Sequence, residues 1–366
     1  MAKEYKLSQD AINILATLGM PSVTNIDKDS IIVKTKVDIN PNTNMKNHST
    51  IVNQDFFYNW LVYGAPGTGK SFSIEEKVKK KKSIFDTVER ITFYPEYSHS
   101  MFWGSYKPFD DGSKLTYKFI PGPFLRVLTK AYKNPDKFHL LIIEEINRAN
   151  AAAVFGDTLQ LLDRNEDGYS RYSIAISEET KQFFCDTEVF GGDSDDYNEI
   201  WIPNNMLIWC TMNNADQGVF PIDTAFKRRW HYTYQKLNAS NTRKRCLFKV
   251  GKEQYDWNKV RKALNDTLSI EFQVNEDKLL GQYFLAPNVT AVDSKQEVIN
   301  NKAFLSEFEE KVLMYLFEDA AKRHRQDLFI GCEQSNSLSA IIMDFEKKGL
   351  AIFGDKSKKS AFFEHY

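Results

Sequence analysis

The sequence predicts an α/β fold, in which a parallel sheet is flanked by helices, followed by a smaller all-helical domain. Two observations lead to this prediction. Between residues 51 and 236, short apolar segments typical of strands alternate with segments compatible with helices, a pattern typical of parallel sheets covered by helices. From about residue 240 onward, apolar residues instead recur at intervals of three and four, which indicates amphipathic helices.

Length and composition agree with this division. The 366 residues, 42% of them hydrophobic and 27% charged, suffice for about two domains with packed cores. We therefore predict a short N-terminal extension (1–50), an α/β domain (51–236) and a helical domain (237–366). A formal net charge of −1 argues against a surface that is basic overall. Any contact with nucleic acid must therefore come from a local basic patch.

The expected location is cytoplasmic, with no membrane contact. No apolar run approaches the roughly 20 residues that a membrane-spanning helix needs, and the first residues lack the apolar stretch of a signal peptide. The four cysteines lie far apart without a paired spacing, so we interpret them as reduced thiols.

The individual elements follow in chain order. In the extension we predict a helix at 8–19, a strand at 30–37 and a polar loop at 40–50. The strand candidates of the α/β domain are 59–63, 90–94, 138–143 and 206–212. A polar acidic stretch at 185–199 is interpreted as a solvated insertion loop. Two helical stripes follow: Trp257, Val260, Leu264 and Leu268, then Leu305, Phe308, Val312 and Leu316.

The clearest chemical signal is a glycine-rich loop directly after the first strand candidate. Residues 64–71 match G-x-x-x-x-G-K-[ST] at every fixed position, and the strand–loop–helix context argues against a chance glycine turn. Such a loop points backbone N–H groups at phosphate oxygens, and the following helix adds its positive end. We expect Lys70 to neutralise the β- and γ-phosphates and Ser71 to bind Mg²⁺. The predicted nucleotide-binding residues are Gly64, Ala65, Pro66, Gly67, Thr68, Gly69, Lys70, Ser71 and Phe72.

A pair of carboxylates supplies the second element of a nucleotide triphosphate site. Glu144 and Glu145 end the apolar run of "HLLIIEEINRAN" (139–150). We assign Glu144 to the Mg²⁺ shell and Glu145 to the general base that activates water. Most proteins with such loops have aspartate at the first position, so the longer Glu144 predicts a metal contact mediated more by water. The alternative is an acidic pair on the surface.

A third motif follows the last strand candidate. Asn213 ends the apolar run at 206–212, where its amide can bind the γ-phosphate or the attacking water. Arg228 and Arg229 come after a short helix that we place near Asp223. The alternative for both arginines is an ordinary solvated surface. In a ring of nucleotide-hydrolysing subunits, an arginine that reaches the neighbour's γ-phosphate raises the rate about 10³- to 10⁵-fold.

In this order and spacing, the loop, "IIEEINRAN", "TMNNADQ" and "DTAFKRRW" resemble the AAA+ ATPase superfamily. More narrowly they are similar to its McrB-type branch, the GTP-dependent motor subunits of modification-dependent restriction systems. The resemblance implies that Asn213 is the sensor-1 residue, that Asp216 belongs to the nucleotide site, and that Arg228, supported by Arg229, is the finger acting on a neighbouring subunit. No arginine lies in "LLGQYF" (279–284), so the sensor-2 role is unassigned.

The resemblance also implies partners and a function. It predicts a hexameric ring that uses Mg²⁺ and GTP, rather than ATP, to drive DNA translocation for a nuclease subunit of the McrC type in antiphage restriction. Relatives often carry a large N-terminal DNA-recognition domain, so we expect DNA contacts through partner subunits. Two alternatives stay open: a MoxR-like, ATP-dependent machine that remodels proteins, and an assembly module whose ring formation is gated by nucleotide.

Overall fold

The computed structural model describes residues 56–110, 112, 115–189, 198–213, 218–238 and 245–354, which all belong to one compact unit. The predictions for 8–19, 30–37 and 40–50 lie outside the described residues, as do most of the acidic stretch at 185–199 and the nucleotide-site residue Asp216.

A five-stranded sheet forms the centre of the first half of the described chain. Its strands are β1 (Asn59–Tyr63), β2 (Phe85–Thr92), β5 (Phe138–Glu144), β8 (Met206–Met212) and β9 (His231–Tyr234). They have the order β2-β5-β8-β1-β9, and all neighbouring strands are parallel. The central strands β5 and β8 are buried along almost their whole length, as expected for parallel strands with both faces covered. The predicted α/β fold is confirmed.

The strand predictions succeed best where burial is greatest. The bounds of β1 and β8 are as predicted, and β5 extends the predicted 138–143 by one residue, Glu144. The prediction of 90–94 is wrong in its bounds, because β2 runs from Phe85 to Thr92. Strand β9 was not predicted. Both are edge strands with partly exposed faces, so polar residues interrupt the apolar pattern that identifies buried strands.

Two-stranded antiparallel sheets accompany the central sheet and the C-terminal part. They were not predicted, because each has only two strands and little buried surface. The pairs are β3 (Gly104–Asp110) with β4 (Leu115–Pro121), β6 (Ile174–Ala175) with β7 (Glu199–Ile200), and β10 (Leu247–Val250) with β11 (Glu253–Asp256).

Helices connect the strands and make up most of the C-terminal part. The α-helices are α1 (Lys70–Lys80), α2 (His99–Trp103), α3 (Pro123–Lys133), α4 (Ala151–Phe155), α5 (Glu178–Asp186), α6 (Thr224–Lys227), α7 (Trp257–Asp266), α8 (Asn301–Glu307), α9 (Arg325–Leu328) and α10 (Leu338–Lys348). Helix α7 continues as a π-helix to Glu271, and π-helical turns continue α8 to Ala320. Cys185 and Asp186 end α5, so the acidic stretch predicted as a loop begins in a helix.

Hydrophobic clusters show where the cores lie. Two clusters, on the two faces of the sheet, draw their buried members from residues 56–230. A third is built from residues 246–353 and contains Trp257, Val260, Leu264 and Leu268 of the predicted stripe. This part is helical as predicted, with the β10–β11 hairpin in addition; we call it the lid. The proposed boundary at 236/237 stays a prediction. Within the described residues, no helix combines the length and hydropathy that crossing a bilayer requires.

Candidate nucleotide-binding site

The three predicted motifs meet at one edge of the sheet. The glycine-rich loop follows β1, Glu144 ends β5 with Glu145 directly after it, and Asn213 follows β8. These strands are neighbours in the order β5-β8-β1 and all run parallel, so their carboxyl ends lie side by side. Ligands in open α/β sheets bind outside these carboxyl ends.

Two glycines give the loop its shape. Gly67 and Gly69 have φ angles of 70° and 89°, in the left-handed region that residues with a Cβ rarely adopt. Gly69 is the residue before α1, which begins at Lys70. The first N–H groups of α1 have no partner within the helix and face the loop, which makes this end suited to an anion.

Lys70 lies inside the loop rather than in solvent. Its side chain is buried, and its ammonium donates hydrogen bonds to the carbonyl oxygens of Gly64 (3.0 Å) and Ala65 (2.9 Å). The Thr68 hydroxyl also donates to Ala65 (2.9 Å). The cation is thus held at the place where the predicted phosphates would need it, next to the N–H groups of the loop.

Ser71 and Glu144 lie together as their predicted metal roles require. The Ser71 hydroxyl donates a 2.8 Å hydrogen bond to Glu144 Oε2. Mg²⁺ in nucleotide sites takes one or two protein oxygens and completes its shell with phosphates and water. A hydroxyl and a carboxylate in contact beside a phosphate loop fit that donor set.

Two further residues hold Glu144, and neither belongs to a motif recognised in the sequence. Arg90 on β2 forms an ion pair with Glu144 Oε1, and the Thr211 hydroxyl on β8 donates to Glu144 Oε2. Thr211 precedes Asn213 by two positions. Because side chains alternate between the two faces of a strand, this spacing was a signal in the sequence that Thr211 points to the same side as Asn213. The neighbouring Cys210 is fully buried, and burial, helped by the nearby Glu144, raises the pKa of its thiol, so it stays neutral.

Glu145 has an unusual backbone and a fixed side chain. Its φ of 55° places it in the left-handed region, which is strained for a residue with a side chain. The Asn213 amide donates to Glu145 Oε1, and Arg148 lies 3.8 Å from Oε2. The Glu145 N–H donates to the Thr211 hydroxyl at 3.2 Å. Asn147 in turn donates to the Asn213 carbonyl at 2.7 Å, so the Glu145 carboxylate and the Asn213 amide are held as one unit.

Arg228 and Arg229 lie at the opposite edge of the sheet. The Arg229 carbonyl accepts a hydrogen bond from Asn59 at the amino end of β1, whereas the loop follows the carboxyl end. The five residues of β1 span about 13 Å. Arg229 is 9% exposed and its guanidinium contacts Asp163 at 2.9 Å, whereas Arg228 is 66% exposed and lies 4.0 Å from Asp163.

Phe72 completes the described part of the predicted site. Its side chain is 51% exposed beside the loop, and its ring lies 6.0 Å from the ring of Tyr283 in the lid. Asp216 lies outside the described residues.

Comparison with known proteins agrees with this geometry. The family model of the AAA domain, dynein-related subfamily, matches residues 59–230. The type II restriction enzyme BsuMI component YdiS of Bacillus subtilis (strain 168) is 40% identical over 297 residues, covering 73% of this chain and 80% of that protein. The EcoKMcrB subunit of the type IV methyl-directed restriction enzyme of Escherichia coli (strain K12) is 26% identical over 181 residues, covering 48% of this chain and 34% of that protein. This chain therefore belongs to the AAA+ family, and within it to the McrB-type nucleoside triphosphatases of restriction systems.

Proposed function

We propose that this chain is the motor subunit of a restriction system, which forms a ring, hydrolyses GTP and thereby drives DNA translocation for a partner nuclease. The observation that carries the proposal is the contact between Ser71 and Glu144 beside the glycine-rich loop, with Glu145 and Asn213 joined next to it. The side chains that we assign to phosphate binding, metal binding and water activation are thus adjacent at one edge of the sheet.

The residues divide the work of hydrolysis. The loop N–H groups and Lys70 bind the phosphates in the ground state. Ser71 and Glu144 would hold Mg²⁺, which, when bound, supplies positive charge to the phosphate oxygens. Glu145 accepts the proton of the attacking water, and Asn213 keeps its carboxylate in place.

The position of Arg228 supports a site shared between subunits. Its exposed side chain leaves the sheet edge opposite the loop, so it lies too far from the phosphate loop of its own chain. In a ring, this face of one subunit meets the loop face of the next. The arginine would then neutralise charge on the neighbour's γ-phosphate in the transition state.

The relatives support a nuclease partner. One is a component of a restriction enzyme and the other is a subunit of one, so each works as part of a larger enzyme. We propose the same for this chain, with cleavage by an McrC-like subunit and DNA contacts made through partner subunits.

The decisive experiment is turnover of GTP and of ATP by the purified chain with Mg²⁺, alone and together with DNA and an McrC-like nuclease subunit. We expect a preference for GTP and faster turnover when partner and DNA are present. A clear preference for ATP would favour a MoxR-like remodelling machine instead. Turnover that no partner or DNA changes would favour a module in which nucleotide only gates assembly.

A further inference from the structure

Part of the lid contacts the glycine-rich loop through main-chain atoms. We call residues 279–284 the lid strap. The Gly281 N–H donates a hydrogen bond of 2.9 Å to the Pro66 carbonyl, and the Tyr283 N–H donates one of 2.6 Å to the Gly67 carbonyl. Two consecutive carbonyl groups of the loop are therefore held by the lid.

The approach is too close for side chains. A Cβ on Gly281 would lie 2.2 Å from the Gly67 carbonyl carbon, and a Cβ on Gly67 would lie 2.5 Å from the Phe284 Cα. A Cβ on Gly69 would lie 3.0 Å from the Tyr283 ring. Cβ contacts under 3.0 Å require atoms to shift, so this close packing depends on the absence of a Cβ at both Gly67 and Gly281. Gly67 also provides the left-handed backbone of the turn.

Buried polar groups of α7 fix the strap in turn. The Asn265 side chain both donates to the Leu280 carbonyl (2.9 Å) and accepts from the Leu280 N–H (2.8 Å). Arg261 also donates to the Leu280 carbonyl at 2.9 Å. Both side chains are buried, with exposures of 6% and 5%. Leu280, the residue directly before Gly281, is thus held through both its N–H and its carbonyl group.

These contacts determine where the loop N–H groups point. In a planar trans peptide, the C=O and the following N–H point in opposite directions. Because the carbonyls of Pro66 and Gly67 are directed at the strap, the N–H groups of Gly67 and Thr68 are directed away from it, toward the interior of the loop. These are N–H groups of the kind that bind phosphates in glycine-rich loops.

We propose that the lid strap positions the phosphate-binding N–H groups of the loop, and that Gly281 is the residue on which this main-chain coupling depends. The lid then senses nucleotide through its backbone, without an arginine side chain in the strap. The inference rests on the proposed nucleotide site. A movement of the lid would tilt the peptide planes of Pro66–Gly67 and Gly67–Thr68. Conversely, a ligand bound to the N–H groups of these two peptides would hold the strap in place.

The first test is Gly281→Ala, with Gly331→Ala as the matched control. A Cβ on Gly331 would lie 2.0 Å from the Ala351 carbonyl oxygen, within the lid and away from the loop, so both variants introduce a steric clash with backbone. A hydrogen bond to a charged group contributes enough that Gly281→Ala should weaken GTP binding at least about tenfold. Gly331→Ala should bind as the wild type does, although its melting temperature falls. Equal affinity of wild type and folded Gly281→Ala would overturn the proposal.

The second test uses the wild-type protein and does not depend on a variant folding. Hydrogen exchange of a peptide covering 279–284 should slow when GTP and Mg²⁺ are added, while a peptide covering 325–331 should be unchanged. Unchanged exchange in the strap at saturating nucleotide would contradict the proposal. If the wild type binds neither GTP nor ATP by calorimetry, the assignment of the nucleotide site itself is wrong. If it binds nucleotide but hydrogen exchange in the strap does not change, only the proposed coupling is wrong.

Discussion

The Ser71 hydroxyl donates a hydrogen bond of 2.8 Å to the Glu144 carboxylate, across 73 positions of the chain. Ser71 lies in the first turn of α1, and Glu144 is the last residue of β5. The bond joins the glycine-rich loop to the acidic pair, so the proposed hydrolytic site is assembled from separate motifs at one sheet edge. Its individual side chains can therefore be tested for separate roles.

Lys70 and Glu145 should separate binding from turnover. We expect Lys70→Ala to abolish nucleotide binding, because the ammonium supplies ground-state charge to the phosphates. Glu145→Gln should bind normally and lose about 10² to 10⁴ in rate, because it removes only the base. Calorimetry measures the affinities and phosphate release measures turnover. Equal nucleotide affinity of Lys70→Ala and wild type would contradict the site assignment.

Thr211 should affect the rate more than the affinity. Its hydroxyl contacts both Glu144 and the Glu145 N–H, so Thr211→Val leaves both carboxylates less well placed. Misplacement of a catalytic group by about 1 Å can cost about 10²-fold in rate. We expect a loss of this order in kcat, with nucleotide affinity within a few-fold of wild type.

The matched control for Thr211 is Thr129→Val. Thr129 is also buried, but its hydroxyl bonds the Leu125 carbonyl within α3, away from the site. Steady-state kinetics of both variants under identical conditions makes the comparison. A similar loss of kcat in both would show that Thr211 acts through general stability and not through the carboxylates.

Arg228 should act on the neighbouring subunit. Arg228→Ala alone and Glu145→Gln alone should each be nearly inactive, with losses of about 10³ or more for the arginine. Mixed at concentrations that favour assembly, they should regain part of the activity, since some interfaces combine an intact arginine with an intact base. Specific activity of the wild type should also rise with protein concentration. Mixed rings as inactive as their parts would identify Arg228 as a surface arginine.

The two adjacent arginines should differ in their effect on stability. The Arg229 side chain is only 9% exposed and is paired with Asp163, so Arg229→Ala should lower the free energy of unfolding by about 2 kcal/mol. Arg228 is mostly exposed, and its replacement should change that free energy by no more than about 0.5 kcal/mol. Urea denaturation of both variants measures the difference. A larger loss for Arg228→Ala than for Arg229→Ala would contradict this assignment.

Stability should fall at acidic pH partly because of His139. The ring is fully buried, and burial lowers its pKa although the Asn134 carbonyl and Asp86 oppose this. The unfolded chain therefore binds the proton at higher pH than the folded chain. The contribution of His139 is fully present above the ordinary histidine pKa of about 6.5 and is lost as the pH falls below it.

The variant His139→Gln isolates this contribution. Between pH 7 and pH 5, the free energy of unfolding should decrease less in His139→Gln than in the wild type, because the variant has no imidazole to protonate. Denaturation curves at both pH values provide the measurement. Parallel losses in the two proteins would show that His139 does not contribute to the acid sensitivity.

Local sequence by itself determined the motifs and the strongest elements. Gly67, Gly69 and Lys70 could be identified because a phosphate loop needs a left-handed backbone and a cation within a few adjacent residues. Strands β1, β5 and β8 could be placed because burial on both faces leaves a continuous apolar run. The helical stripe from Trp257 to Leu268 could be recognised because the periodicity of a helix is also local.

Only the tertiary structure decided which distant residues share the site. Arg90 and Thr211 contact Glu144 because of the parallel register of β2, β5 and β8, and no spacing along the chain contains that register. The edge strand β9 escaped prediction because its exposed positions carry polar residues. The contact of Gly281 with Gly67 depends on how the lid packs against the loop, and this packing is fixed by hydrogen bonds and steric fit between segments more than 200 positions apart.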